Sequence, residues 1–252
     1  MARLPALIDA LAEQDPRGSA TIAHIARRVR DAGLIVSNAP GAGAATMTYR
    51  DAATLLMAVC GDTSPLGAVA AVERMRTFVP VPSDDTTAMQ REDLPAHFRW
   101  LLKQTGFSAT LEEMIARAPD LAEWEAGYLD AWAGDGAPTA AVWSMERSVA
   151  RFKDVNQAFR PGLARAVRVV CYVPGRAAEI HLGHLWRDLE ESDAFHEYYA
   201  MPAPTTHKKA APSPSEPDAL ITVEIGTATL LALHKAVNAR PRTRGPGKKA
   251  KP

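Results

Sequence analysis

The chain of 252 residues is long enough for one large domain or two smaller ones. Hydrophobic residues make up 47% of it, which excludes an intrinsically disordered protein. Aromatic residues make up only 6% while alanine is abundant, and this balance favours helices over strands. No apolar run of about eighteen residues occurs, so we expect no membrane-spanning helix. The apolar stretch before Glu13 is too short for a signal peptide, so none is expected.

The formal net charge of zero conceals an uneven distribution of charge. Residues 240–252 contain six basic residues and no acidic ones, so the remaining chain carries a net charge of −6. We expect this segment to be a disordered tail that contacts phosphates non-specifically, because each neutralised phosphate releases counterions. An acidic body excludes a generally basic nucleic-acid coat, so specific DNA contacts would need a local face. The basic residues of the tail are Arg240, Arg242, Arg244, Lys248, Lys249 and Lys251.

Cys60 and Cys171 are the two cysteines of the chain and lie far apart in the sequence. Two isolated cysteines form neither a disulfide framework nor a recognised metal site. Glu179, His181 and His184 lie close together, but no further ligand occurs at a recognised spacing. We therefore interpret these histidines as surface residues at a strand end, and we expect no metal and a reducing, cytoplasmic location.

No motif of a catalytic or phosphate-binding loop is present. The chain lacks the Gly-x-Ser-x-Gly turn of hydrolases, the Gly-x-Gly-x-x-Gly turn of dinucleotide-binding proteins and the P-loop. The glycine-rich run at residues 40–43 has neither the lysine nor the following hydroxyl residue that a phosphate loop needs. We therefore expect a non-enzymatic protein without a cofactor.

Two amphipathic helices are predicted at the start of the chain. Apolar residues at helical spacing indicate helices over residues 4–12 and 19–32. Gly33 is expected to end the second helix, because glycine readily adopts the left-handed conformation found just beyond many helices.

A glycine-rich loop over residues 37–46 is expected to follow. Short apolar runs on either side predict strands over 34–36 and 47–48, so that the loop resembles a β-hairpin. Thr48 and Asp51 have the spacing of a capping box, in which each side chain bonds the backbone N–H of the other residue. The third helix is therefore predicted to begin at this point.

Residues 79–85 are the expected boundary between two domains, 1–79 and 86–239, because their two prolines favour extended backbone. Residues 202–218 are rich in Pro, Ser, Thr and Lys, which indicates a disordered loop within the second domain. Further helices are predicted over 66–78, 94–105, 110–118, 121–132, 140–159 and 227–239.

Alternation of apolar and polar residues predicts a small sheet in the second domain. A hairpin is expected over residues 166–182 around a Pro-Gly turn, with a third strand over 220–225. The predicted fold class is therefore α+β and mainly helical, with a small antiparallel sheet that carries a packed helix.

The segment over residues 21–35 carries the functional prediction. It is predicted to form an amphipathic helix with an arginine-bearing face, ends on Gly-Leu-Ile, and precedes a glycine-rich loop and a capped helix. Over about residues 4–61 this order resembles the winged helix-turn-helix, MerR-like DNA-binding modules of bacterial or prophage regulators. The resemblance implies a recognition helix in the major groove and polar contacts from the wing. The residues implied in DNA binding are Arg27, Arg28, Arg30, Arg50, Ser37, Asn38 and Thr46.

The resemblance implies a transcriptional regulator that binds double-stranded DNA, and we expect a homodimer because a single helix in the groove binds weakly. Two alternatives stay open. A phage DNA-packaging or replication accessory protein would use the same module in a ring. A protein-interaction adaptor without a nucleic-acid role fits the acidic body, and also the loop 37–46, which contains no basic residue.

Overall fold

Seven α-helices and a five-stranded antiparallel sheet form the described part of the chain, which confirms the predicted α+β, mainly helical class. The computed structural model describes residues 3–36, 46–81, 98–134, 167–173, 177–182, 195–202 and 221–239. The helices are α1 (Leu4–Ala12), α2 (Gly18–Asp31), α3 (Tyr49–Cys60), α4 (Ala68–Met75), α5 (Phe107–Ala116), α6 (Ala118–Gly134) and α7 (Thr227–Asn238). The strands are β1 (Val79–Pro80), β2 (Val167–Val173), β3 (Ala177–Leu182), β4 (Phe195–Ala200) and β5 (Ile221–Gly226).

Helix α3 is the centre of the helical layer. Ten of its twelve residues are buried, and it packs against α1, α2, α4, α5 and α7. A helix that is apolar on nearly all sides is stable only when other elements surround it. The capping box predicted for its start is confirmed, since Thr48 and Asp51 bond each other's backbone N–H groups.

The strands are ordered β1-β4-β3-β2-β5, and every neighbouring pair is antiparallel. The predicted hairpin is confirmed, with Val167 opposite Leu182 and Tyr172 opposite Ala177. The predicted third strand is also confirmed, as β5. Strands β1 and β4 were not predicted, so the expected sheet of three strands is wrong, and the sheet has five strands within the described residues.

One face of the sheet packs against the helices. Alternate residues of β2, including Val169 and Cys171, belong to the same buried cluster as the helical core. The opposite face carries polar groups. There Glu179 Oε1 accepts a hydrogen bond from Tyr172 Oη (2.7 Å), and Glu179 Oε2 is hydrogen-bonded to His181 Nε2 (2.9 Å). His181 is only 4% exposed, so its interpretation as a surface histidine is wrong.

The two predicted domains share one core. Strand β1, at the expected boundary, pairs with β4, and α1 packs against α7 from the other end of the chain. A single hydrophobic cluster contains residues from both predicted domains. The division into 1–79 and 86–239 therefore does not separate two cores, and Val79–Pro80 at the expected boundary forms an edge strand of the sheet.

Buried polar residues join the sheet to α5. Glu197 and Tyr199 lie on the core face of β4, and the Tyr199 hydroxyl donates to the Glu197 carboxylate. Thr110 of α5 contacts the same hydroxyl at 3.0 Å. Burial raises the pKa of Tyr199, and the neighbouring Glu197 carboxylate adds to this shift. The Thr110 hydroxyl, the Tyr199 hydroxyl and the Glu197 carboxylate each have a partner within this set, as buried polar groups require.

Several sequence predictions need correction or fall outside the described residues. Residues 94–97 of the predicted helix 94–105 lie outside the described residues, and its described part is not an α-helix, because Leu101–Lys103 forms a 3-10 turn and Gln104 has extended backbone. None of the described helices is long and apolar enough to cross a membrane. In the same part of the chain, no group of three His, Cys, Asp or Glu residues is arranged to hold a metal. Outside the described residues lie the predicted helix 140–159, nearly all of the loop 202–218 and the basic tail 240–252.

Candidate nucleic-acid interface

Helix α2 has one buried face and one exposed face. Ile22, Ile25, Ala26 and Val29 are fully buried against the helical core. The residues between them recur at the spacing of a solvent-facing helical stripe. We call this stripe the α2 outer face, and it consists of Ala20, Ala23, His24, Arg27, Arg28 and Asp31, all of which are exposed.

The end of α2 is fixed by its glycine, as predicted. Gly33 has a φ of 73°, the left-handed conformation that glycine adopts without strain. Its N–H bonds the Arg30 carbonyl at 2.8 Å, and the Leu34 N–H bonds the Val29 carbonyl at 3.1 Å. These two bonds form a Schellman motif, which satisfies the last carbonyls of the helix. The outer face therefore belongs to a well-terminated helix that is packed along its whole inner side.

The three arginines of α2 differ in their partners. Arg27 Nε lies 3.6 Å from Asp31 Oδ2, and 73% of the Arg27 side chain is exposed. Arg30 Nη2 lies 3.0 Å from Asp31 Oδ1. Arg28 is exposed, and its side chain makes no hydrogen bond or ion pair with a described residue. Exposed ion pairs contribute at most about 1 kcal/mol, so a phosphate or base can compete for Arg27 and Arg30.

Asp31 reduces the charge that the sequence pattern suggests. Three arginines and one aspartate leave a net charge of +2 at this end of α2. An anionic partner would therefore have to displace an acid from two of the three arginines.

Asp51 joins the two ends of the predicted wing. Its carboxylate accepts hydrogen bonds from the N–H and the hydroxyl of Thr48, both at 2.8 Å, and lies 3.5 Å from the Val36 N–H. The strands predicted over 34–36 and 47–48 are wrong, because these residues form bends and irregular backbone, and Val36 and Thr48 bond the Asp51 side chain. Ser37 and Asn38, the predicted wing contacts, lie outside the described residues, whereas Thr46 is exposed at the end of the loop.

Two further basic residues, Arg50 and Arg76, lie near the C-terminal end of α2. Arg76 donates to the Leu34 carbonyl (3.3 Å) and to the Thr54 hydroxyl (2.9 Å). Burial lowers the pKa of Arg76, and the nearby positive charge of Arg50 lowers it further. Arg50 was predicted from the sequence and is exposed, whereas Arg76 was missed because no local pattern links it to Leu34.

Of the predicted DNA-binding arginines, Arg27, Arg28 and Arg30 lie in the C-terminal half of α2. Arg50 lies in the first turn of α3, near Arg76. The six basic residues of the tail lie outside the described residues. Comparison of the chain with protein-family models, curated proteins and solved structures gives no match.

Proposed function

We propose that this protein binds double-stranded DNA through the α2 outer face, as a regulator of transcription. The observation that carries the proposal is the exposure of Arg27 and Arg28 on a helix whose opposite face is completely buried. A rigid helix with exposed guanidinium groups has the shape and the donors that the major groove accepts.

The small side chains of the outer face favour close approach. Ala23 and Ala20 lie on the same exposed stripe as Arg27, one and two turns before it. They allow the helix backbone to come near the base edges, while the longer arginine side chains reach guanine N7 and O6 or a phosphate. Arg50 and Arg76 would contact backbone phosphates beside the end of the helix.

A single helix gives modest affinity, so a homodimer that reads two half-sites is part of the proposal. The adaptor alternative is also supported by one feature, the pairing of Arg27 and Arg30 with Asp31. An acidic surface of a partner protein could displace Asp31 from these two arginines, just as DNA phosphates could. Direct measurement of DNA binding separates the two.

The test is fluorescence anisotropy with a mixed pool of duplex fragments at low and moderate salt. We expect Arg27→Ala/Arg28→Ala/Arg30→Ala to weaken binding by about tenfold or more, since each lost phosphate or base contact reduces affinity. The matched control is Arg99→Ala/Lys103→Ala/Lys235→Ala, which removes three exposed basic residues from other elements.

A chain that ends at Ala239 separates the contribution of the basic tail. Binding that survives this truncation and the control substitutions, but fails in the α2 variant, supports the proposal. Equal losses in the α2 variant and the control, or no binding by the unchanged protein, contradict it.

A further inference from the structure

The two edges of the sheet are built differently. The β1 edge is only two residues long, and Pro80 within it has no backbone N–H to offer to a further strand. The β5 edge is six residues long and contains neither proline nor lysine. Very short strands, proline and lysine are the usual means by which proteins block an exposed sheet edge. The β1 edge is therefore blocked, whereas the β5 edge is suited to further pairing.

Strand β5 is regular and has one neighbouring strand among the described residues, namely β2. Six consecutive residue pairs join the two strands, from Arg168 with Gly226 to Val173 with Ile221, so no bulge interrupts β5. In an antiparallel strand, alternate residues direct their N–H and C=O groups to opposite sides. About half of the backbone groups of β5 therefore point away from β2 and can pair with a further strand.

The burial of the β5 side chains agrees with this edge position. Val223 lies on the core face opposite Cys171, yet it is only partly buried, while Cys171 is 1% exposed. Glu224 lies on the other face and is exposed, while Val170 opposite it is buried. The cover over the apolar face is thus incomplete at β5.

The sequence of β5 is complementary to itself in the antiparallel direction. A two-fold axis through Val223 places Val223 opposite Val223 of a second copy, and Ile221 opposite Ile225 of that copy, which extends the apolar face. The same axis places Thr222 opposite Glu224, a hydroxyl residue opposite a carboxylate. An axis through Glu224 would instead place two carboxylates directly opposite each other, which is destabilising.

The charge of Glu224 is balanced within each copy. Arg168 Nη1, on the neighbouring strand, lies 3.8 Å from Glu224 Oε1. In the register centred on Val223, the two Glu224 residues are diagonal neighbours at roughly 7–8 Å. The Arg168 guanidinium reduces the repulsion between them, so the charges favour this register over the one centred on Glu224.

We propose that β5 pairs with β5 of a second copy, antiparallel and centred on Val223, so that one continuous sheet runs through a homodimer. The occupant is a second copy because the two-fold axis pairs every residue from 221 to 225 with a compatible one. The proposal names the interface of the homodimer in the proposed function and rests on that function for its role. Its test contains no DNA, so failure of the dimer and failure of DNA binding are observed separately.

The test measures the dimer dissociation constant of the full chain by sedimentation equilibrium, over about 1 to 200 μM protein. Thr222→Glu places a carboxylate opposite Glu224 of the second copy, and Thr222→Lys places an ammonium group there. We expect Thr222→Glu to weaken the dimer and Thr222→Lys to strengthen it, each by about threefold to tenfold, because the two-fold axis repeats the pair. Both shifts should decrease at high salt. The matched controls are Thr63→Glu and Thr63→Lys, at an exposed residue between α3 and α4.

Hydrogen exchange of the unchanged protein gives a readout that needs no variant. The outward-pointing amides of β5 should exchange more slowly at dimer-forming than at monomeric concentrations, whereas those of β1 should not change. A monomer throughout the concentration range would overturn the proposal, and this result is also expected if the edge pairs with a strand of another protein. A dimer without concentration-dependent protection of β5, or without opposite shifts in the two Thr222 variants, would overturn it as well.

Discussion

The two ends of α2 use arginine in opposite ways. At its start, Arg17 bonds both oxygens of Asp15 and donates to the carbonyls of Val59 (2.6 Å) and Asp62 (3.3 Å). Only 26% of its side chain is exposed. Near the other end, the Arg27 side chain is 73% exposed and meets only an exposed aspartate at 3.6 Å.

The exposure of these arginines differs because different surroundings lie next to the two ends of α2. Arg17 faces the C-terminus of α3, where carbonyls without helical partners and a negative helix dipole attract a cation. Arg27 and Arg28 face solvent because the inner side of α2 is occupied by apolar residues. The same residue type on one helix is therefore structural at one end and available for binding at the other.

The largest effect is expected for loss of Arg17. We expect Arg17→Ala to lower the free energy of unfolding by roughly 1.5 to 3 kcal/mol, because it removes charge-assisted hydrogen bonds to Val59, Asp62 and Asp15. Arg28→Ala is the matched control and should change this free energy by less than about 0.5 kcal/mol. Urea unfolding followed by circular dichroism measures both. Similar losses in the two variants would remove the distinction between the two ends.

Alkaline pH is expected to destabilise the region beside Arg17. The pKa of Cys60 is raised in the folded protein, so the unfolded chain loses this proton first and becomes favoured as pH rises. Stability should therefore be complete below the ordinary thiol value of about pH 8.5 and decline above it. The raised pKa of Tyr199 should add a second decline above about pH 10.

Urea unfolding over this pH range in the unchanged protein and in Cys60→Ala isolates the first decline. The variant should lose stability only in the upper part of the range. A parallel decline in both proteins would assign the effect to other groups.

The smallest effect is expected at Asp31. The Asp31→Asn variant should bind duplex DNA about twofold to fivefold more tightly, because it removes repulsion of phosphates and frees Arg27 and Arg30 from exposed ion pairs. Anisotropy at moderate salt measures the change. Weaker binding by this variant would mean that Asp31 positions the arginines rather than competing for them.

Local features were predictable from the sequence. Gly33 ends α2 and Thr48 caps α3 as predicted, because both signals depend on residues within one helical turn. The hairpin of β2 and β3 was also predictable, since its apolar residues alternate around a short turn. The arginines of α2 were identified for a similar reason, because the apolar stripe determines which residues remain exposed.

Long-range features were not predictable. Strand β4 was missed because Glu197, an acid on its core face, interrupts the apolar alternation and is stabilised by Tyr199 from the same strand. The hydrogen bond of Arg76 to the Leu34 carbonyl joins residues that are distant in the chain. No single-sequence pattern encodes this pairing, because it depends on how α2 and α4 pack.

The most direct measurement is photo-crosslinking from the α2 outer face. A benzophenone amino acid replaces Ala23, which lies exposed in the middle of that face, and a control protein carries it in place of the exposed Ala109 of α5. If α2 lies in the groove, duplex DNA should be cross-linked from position 23 and much less from position 109. Equal cross-linking from the two positions, or none from position 23 while DNA is bound, would contradict the proposed interface.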